Sequence, residues 1–296
     1  MYKIINVAPL EPRVNYDLSK LKDVSILIKT LERKEHLINQ IYSIRKYGFK
    51  GAIIIADDSK QPYRQAVLDL FPDMNITYLE MPYDSGTAEG RNFMLEHTRT
   101  PYFVLCDDDF IFEPRTRIPI MRQMLIENNL DILGGVFLQY NLKSRKGKYL
   151  NRLAEFFLKF NTVLPSVQMY EYFGNFEVDG EIIRLNKVKY HDPFTVCDLT
   201  HNFFIARTER VKSFGGWNPI LKGGEHQNFF IRAKRKGLKV ATTRKCGVIH
   251  DRWTKNSEEY VALRARGNDY QNIALAEFGL KRMENYSSVL GGKFGT

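Results

Sequence analysis

"SGTAEGRNFMLEHTRTPYFVLCDDDF", Ser85 to Phe110, runs a helical pattern into an apolar strand that stops on three consecutive aspartates. Thr87 to His97 has helical spacing, and Tyr102 to Cys106 is a continuous apolar run of the kind buried on both faces of a sheet. Three neighbouring carboxylates repel and raise one another's pKa. A strand that leaves the core on Asp107, Asp108 and Asp109 therefore calls for counter-charge, either a cation or a dense set of hydrogen-bond donors.

The same grammar holds on either side. "VSILIKT" (Val24 to Thr30) is a short β-branched run, followed by a helical pattern to about Tyr47. "AIIIADD" (Ala52 to Asp58) is a second buried strand that ends on acids, Tyr63 to Leu70 a helix, and "NITYLEM" a third strand. Apolar strands separated by helices predict an α/β fold built on a parallel sheet with both faces covered. In such sheets ligands sit beyond the carboxyl ends of the strands. Thr30, Arg33, Asp57, Asp58 and Asp107 to Asp109 all fall at those ends, so the acids converge on one edge.

The second half is less regular. "DILGGVFLQY" reads as a strand and Leu150 to Phe160 as a helix. Val167 to Leu199 suggests strands joined by tight turns, with "VDGE" a hairpin signal. "HNFFIART" is a strand, "SFGGWNPILKGGEHQNFFIRAKRKG" a loop entering a helix, and "KVATTRKCGVIHDRW" a strand leaving on a histidine. The division falls at residues 1–135, a nucleotide-binding half, and 136–296, an acceptor-binding and catalytic half. The two are expected to share one core.

The 296 residues suffice for such a core, and 44% hydrophobic with 26% charged residues is ordinary for a globular chain. The net charge of +10 suits an anionic partner such as a nucleotide diphosphate, a phospholipid surface or nucleic acid. The two basic clusters, "LKSRKGKYLNR" and "RAKRKGLK", lack the layout of a nucleic-acid module. That partner is set aside, while peripheral contact with an acidic membrane leaflet stays open. Cys106, Cys197 and Cys246 are odd in number and far apart, with neither a disulfide framework nor a CxxC metal pair. With no apolar run near ~18 residues and no leader pattern at the start, a reducing, cytoplasmic setting is expected.

Two carboxylates one residue apart at a strand exit can share a divalent cation, or hold a cation and a ribose. Oxygen donors suit Mg²⁺ or Mn²⁺, so the acids are expected to meet a metal and a nucleotide.

"VSILIKT", "ADDS", "GRN" and "VLCDDDF", in that order, resemble the nucleotide-sugar half of a GT-A glycosyltransferase. Downstream, "HNFFIARTERVKSFGGWNP" and "GGEHQNFFIRAKRKG" resemble the acceptor half of that superfamily. "GGV", "VCDLTHNFFIART" and the late "VIHD" are similar to the β-1,4-N-acetylgalactosaminyltransferases of ganglioside synthesis and to family 2-type glycosyltransferases. The resemblance spans roughly Val24 to Trp253. It implies a GT-A fold and an inverting, metal-dependent transfer from a UDP-sugar to an oligosaccharide or glycolipid hydroxyl. The sugar would be GalNAc or another hexosamine or hexose.

On that resemblance Asp109 is a direct metal ligand and Asp107 a partner of ribose or metal, with Asp108 between them in the cofactor-binding set. Asp58 would hold the uracil or ribose beside Asp57, and Thr30 and Arg33 the base and phosphate. Arg91 would reach the diphosphate as a fork donor, and His250 would supply a third metal ligand, which favours Mn²⁺ over Mg²⁺. Inversion needs a carboxylate to accept the acceptor's proton. Glu225 is the candidate, with His226 and Asp198 in reserve because this loop lacks further acids found in relatives. Trp217 is expected to stack on a sugar, and His191 and His201 to be structural. Two other readings stay open: a nucleotidyltransferase making nucleotide sugars, although "IKTLERKE" lacks a glycine-rich first loop, and a non-catalytic nucleotide-sugar- or glycan-binding protein.

Overall fold

A computed structural model describes residues 5–6, 17–140 and 167–285. The helix expected at 150–160 and the basic cluster at 142–152 lie outside the described residues. Four parallel strands form the first half of the main sheet, in the order β4 (Ile76–Glu80), β3 (Ile53–Asp57), β2 (Val24–Thr30), β5 (Tyr102–Asp107). Every residue of β2 and β3 is buried, as their largely apolar runs require. Because side chains alternate along a strand, Ile26 and Ile28 pack on one face against Leu37, Ile41 and Ile44 of α1 (Lys34–Lys46). Leu27 points to the other face, where it joins Ala88, Met94 and Leu95 of α3 (Thr87–His97). A shorter helix, α2 (Arg64–Leu70), connects β3 to β4.

The sheet then changes character. β12 (Phe204–Arg207) inserts antiparallel between β5 and β7 (Ile132–Tyr140), and β8 (Val167–Tyr170) pairs antiparallel on the far side of β7, followed by β1 (Ile5–Asn6). Parallel order thus belongs to the strands linked by helices. The boundary at residue 135 falls inside β7, so both halves lie in one sheet. The chain can pass there because β7 carries two glycines; a Cβ on Gly134 would stand 1.9 Å from Thr200 Oγ1.

The longest strand, β13 (Val240–His250), runs parallel to β7 and finishes antiparallel to β6 (Phe110–Ile111), where His250 pairs with Phe110. β11 (Thr195–Val196) pairs with the start of β13. The "VDGE" signal is the turn of a hairpin, β9 (Asn175–Asp179) and β10 (Ile182–Asn186), which β14 (Arg282–Asn285) completes as a separate small sheet. Helices α4 (Ile118–Glu127), α5 (Thr208–Ser213), α6 (Glu225–Arg235), α7 (Glu258–Ala265) and α8 (Gly267–Ala276) complete the layers. All three cysteines are buried free thiols. No helix among the described residues is long and apolar enough to cross a membrane.

Candidate functional site

A cavity of about 580 Å³ opens beyond the carboxyl ends of β2 and β5, walled on its other sides by β7, β13, the start of α6 and the pair α7–α8. Its size is that of small-molecule and cofactor sites. The register of the sheet builds its floor. Lys29 of β2 stands beside Asp107 of β5, and the chain turns at Asp108 and Asp109 into β6, which lies against the end of β13.

The three aspartates meet three different fates. Asp107 is partly exposed and accepts from Arg91 Nη2 at 2.7 Å and from Asn202 Nδ2 at 3.4 Å. Asp108 is buried and accepts from Thr30 Oγ1 at 2.8 Å and from Arg33 Nη1 at 2.6 Å. Burial pushes its pKa up to about 7 against the pull of Arg33. Asp109 Oδ2 accepts from Arg33 Nη2 at 3.0 Å and lies 3.2 Å from His250 Nε2. Burial works to raise the Asp109 pKa too, but the hydrogen bonds and charges of His250 and Arg33 hold it well below the usual carboxylate range. Much of the counter-charge those acids demand is thus built into the protein. Arg33, with Tyr260 stacked 4.6 Å from its guanidinium, clamps Asp108 to Asp109.

Arg91 is the second clamp. It is 1% exposed, and its Nη1 donates to Glu225 Oε1 at 2.8 Å while Nη2 holds Asp107. The expected fork to a diphosphate is here a fork between two carboxylates. Glu225 opens α6 directly after Gly224, whose φ of +69° is the left-handed conformation glycine adopts without cost. The helix N-terminus adds its partial positive charge behind the carboxylate.

Several expected residues do not reach the cavity. Asp57 is fully buried and accepts from the backbone N–H of Ser59 and Tyr63, at 2.9 and 3.0 Å, and from Tyr78 Oη at 2.5 Å. It shapes the turn after β3. Asp58, also fully buried, pairs with Lys29 and accepts from Gly86 N at 2.9 Å, which ties down the loop into α3. Trp217 is 1% exposed and stacks on Phe229 at 4.5 Å, so it fills the core behind Arg91. Asp198 is bound to Phe176 N and Lys234 Nζ, at 2.7 and 2.6 Å, outside the cavity lining. Thr30, Arg33, Arg91, Asp107 to Asp109, Glu225, His226 and His250 do line it. His201 lines it too, stacked on Phe137 at 4.0 Å with Nε2 at 2.9 Å from the Tyr170 carbonyl.

Two atoms bear on a metal. Gln139 Oε1 faces His250 Nδ1 at 3.1 Å and Arg252 Nε at 3.1 Å as an acceptor. His250 Nε2 in turn lies 3.2 Å from Asp109 Oδ2, a spacing that a proton or a cation held between the two atoms would satisfy. Asp109 Oδ1 is buried with no hydrogen-bond partner. Asp109 and His250 therefore fit as one side of a cation site. Asp107 is turned onto Arg91, and among the described residues no group of three or more His, Cys, Asp or Glu is arranged to hold a metal.

The sequence reading missed Lys222, Arg252, Tyr260, Arg264, Arg266 and Tyr270, all of which line the cavity. Most lie beyond Trp253, on helices whose pattern carries no chemical signature.

A model of glycosyl transferase family 2 matches residues 25–191. Over 212 residues, 70% of this chain, the sequence is 32% identical to beta-1,4 N-acetylgalactosaminyltransferase 2 of Mus musculus. It is 28% identical over 221 residues to beta-1,4 N-acetylgalactosaminyltransferase 1 of Homo sapiens. Those stretches are 35% and 36% of the two relatives, so the chain spans about a third of their length. Among solved structures, S. aureus TarS 1–349 in complex with UDP-GlcNAc superposes with a TM-score of 0.54 at 13% identity. The match covers 86% of this chain and 71% of that one. The fold is that of the GT-A glycosyltransferases.

Proposed function

Because the chain belongs to glycosyl transferase family 2, we propose that it moves a sugar from a UDP-sugar to a glycan hydroxyl, with inversion at the anomeric carbon. The observation that carries this reading is the Asp107–Arg91–Glu225 relay, which sets a carboxylate at a helix N-terminus over the same cavity floor as the strand-end aspartates. The acceptor hydroxyl attacks the anomeric carbon from the face opposite the diphosphate. Its proton passes to Glu225, and the electron pair of the breaking C–O bond stays with the departing UDP. Arg91 fixes the carboxylate for that step. His226 is the weaker reserve, since burial and the neighbouring Arg91 press its pKa down to about 3.

Asp109 and His250 would hold Mn²⁺ or Mg²⁺, with Asp107 Oδ2, which meets only Asn202 Nδ2 at 3.4 Å, a further oxygen donor. Such an ion, when bound, offsets charge on the diphosphate. Thr30 and Arg33 would face the nucleotide. The two N-acetylgalactosaminyltransferase relatives support GalNAc, and the TarS complex with UDP-GlcNAc supports the UDP-hexosamine class. An oligosaccharide or glycolipid would be the acceptor.

The test is UDP release from a panel of nucleotide sugars, with candidate glycans and with Mn²⁺ or chelator. Turnover of a UDP-hexosamine that chelator abolishes is expected. Glu225→Gln should slow it about 10²–10⁴-fold with UDP affinity near the parent's, and Asp109→Ala should abolish both turnover and Mn²⁺-dependent binding of UDP. Preference for a GDP- or CMP-sugar would overturn the donor. A product of retained configuration would remove Glu225 as base.

A further inference from the structure

The cavity's charges are almost, but not fully, matched by its own residues. Five of its seven Lys and Arg side chains are ion-paired: Lys29 with Asp58, Arg33 with Asp108 and Asp109, Arg91 with Asp107 and Glu225, and both Lys222 and Arg266 with Asp84. Arg252 and Arg264 have no carboxylate partner among the described residues. Arg252 meets only the Gln139 carbonyl. Arg264 lines the cavity and is exposed. A guanidinium held at a cavity wall without an anion is a binding group whose partner is a ligand.

The setting of Arg264 makes it specific. Helix α7 has no buried residue, so no core packing accounts for its place. What ties it down are polar contacts to the nucleotide half. Ser257 Oγ donates to the Glu32 carbonyl at 3.2 Å, Tyr83 Oη to Glu259 at 2.8 Å, and Tyr260 lies against the Arg33 guanidinium. Arg266 Nη2 donates to Asp84 at 2.8 Å. These contacts hold the helix beside the strand ends, and Arg264 lines the same cavity as Asp107, Asp109 and Glu225. The family match ends at residue 191, well before α7.

We infer that Arg264 and Arg252 form the diphosphate-binding site of this cavity, in place of Arg91, whose two amino groups are committed to carboxylates. The inference rests on the reading of the cavity as a nucleotide-sugar site and names which side chains meet the anion. Departure of UDP places new negative charge on its terminal phosphate oxygen, so Arg264 stabilises the leaving group as well as the bound donor.

The experiment measures, on the full chain with Mn²⁺, the affinity for uridine, UDP and inorganic pyrophosphate by calorimetry. A charge-assisted hydrogen bond of ordinary strength corresponds to roughly a 10- to 100-fold change. Arg264→Ala should weaken UDP and pyrophosphate by that factor and leave uridine within about twofold. Arg264→Lys should recover part of the loss, and Arg252→Ala should repeat the pattern. Lys236→Ala, which removes an exposed positive charge away from the cavity, should change none of the three. UDP binding and turnover by Arg264→Ala equal to the parent's would overturn the inference and leave the glycosyltransferase reading intact. So would an equal loss for uridine, which marks a collapsed site. A parent that binds neither UDP nor pyrophosphate would overturn both.

Discussion

Arg91, 1% exposed, divides its guanidinium between two carboxylates. The "GRN" motif puts a guanidinium at the strand ends, and the structure agrees; its two amino groups then go to Asp107 and Glu225 at 2.7 and 2.8 Å. Arg91→Ala would leave two carboxylates facing each other around a buried hole. Removing one partner of a buried ionic network costs about 3–5 kcal/mol. A loss of that order in urea-unfolding free energy is expected, with Arg91→Lys, which keeps one charge but not the fork, in between. An alanine variant as stable as the parent would show that the clamp is not structural. The aspartates carry the same lesson. That Asp107, Asp108 and Asp109 need counter-charge was legible from like-charge repulsion alone. That Asp57 satisfies itself on the N–H groups of Ser59 and Tyr63 was not, because an aspartate in a turn reads the same whether it faces a ligand or its own backbone. No signal in the sequence separates a large ring in a loop from one in the core, and Trp217, 1% exposed, is the second kind.

Elements were legible in proportion to how much they bury. β2 and β3 announce themselves because every position is interior and most are apolar, and α3 because its apolar side joins Leu27 and Leu105 in one core. Helix α7 buries nothing, so no periodicity betrays it, yet it brings Tyr260, Leu263 and Arg264 to the cavity. Between these extremes stands the start of α6. The Gly223-Gly224 pair signals a close approach, and the structure gives the reason: Gly224 at φ +69° turns the chain so that Glu225 opens the helix towards Arg91. A Cβ there would meet α8 backbone at Gln271 at 3.4 Å, ordinary contact, so the cost of Gly224→Ala lies in the dihedral. That cost is about 1–2 kcal/mol. Relief of the strain would swing Glu225 off Arg91, so turnover should fall by far more than stability, as initial rates beside a melting curve would reveal. A rate that falls only as far as the folded fraction would mean that Glu225 is not held by this turn.

Among the described residues, one sheet joins a helix-linked parallel half to a mixed half, and the cavity takes a wall from each. The first half could be read strand by strand; the second could not, since its pairings are long-range and its turns do not say which strand lies beside which. Burying the seam between them also buries histidines. Burial presses the pKa of His201 down to about 3, that of His226 to about the same value, and that of His36 in the same direction. Each binds its proton in the unfolded chain below about pH 6.5 but releases it on folding, so the unfolded state holds more protons and stability rises with pH through that window. Asp108 opposes them, since burial raises its pKa to about 7 and the folded state keeps a proton that the unfolded chain sheds above about pH 3.9. Three histidines against one aspartate leave the sign with the histidines. The free energy of unfolding should therefore climb between about pH 4 and pH 6.5, by about 1.4 kcal/mol per pH unit for each net proton. His201→Phe keeps a ring on Phe137 and removes one titrating group, so its stability curve should be flatter by about that slope. Curves that run parallel across the window would show that His201 keeps its proton in the fold.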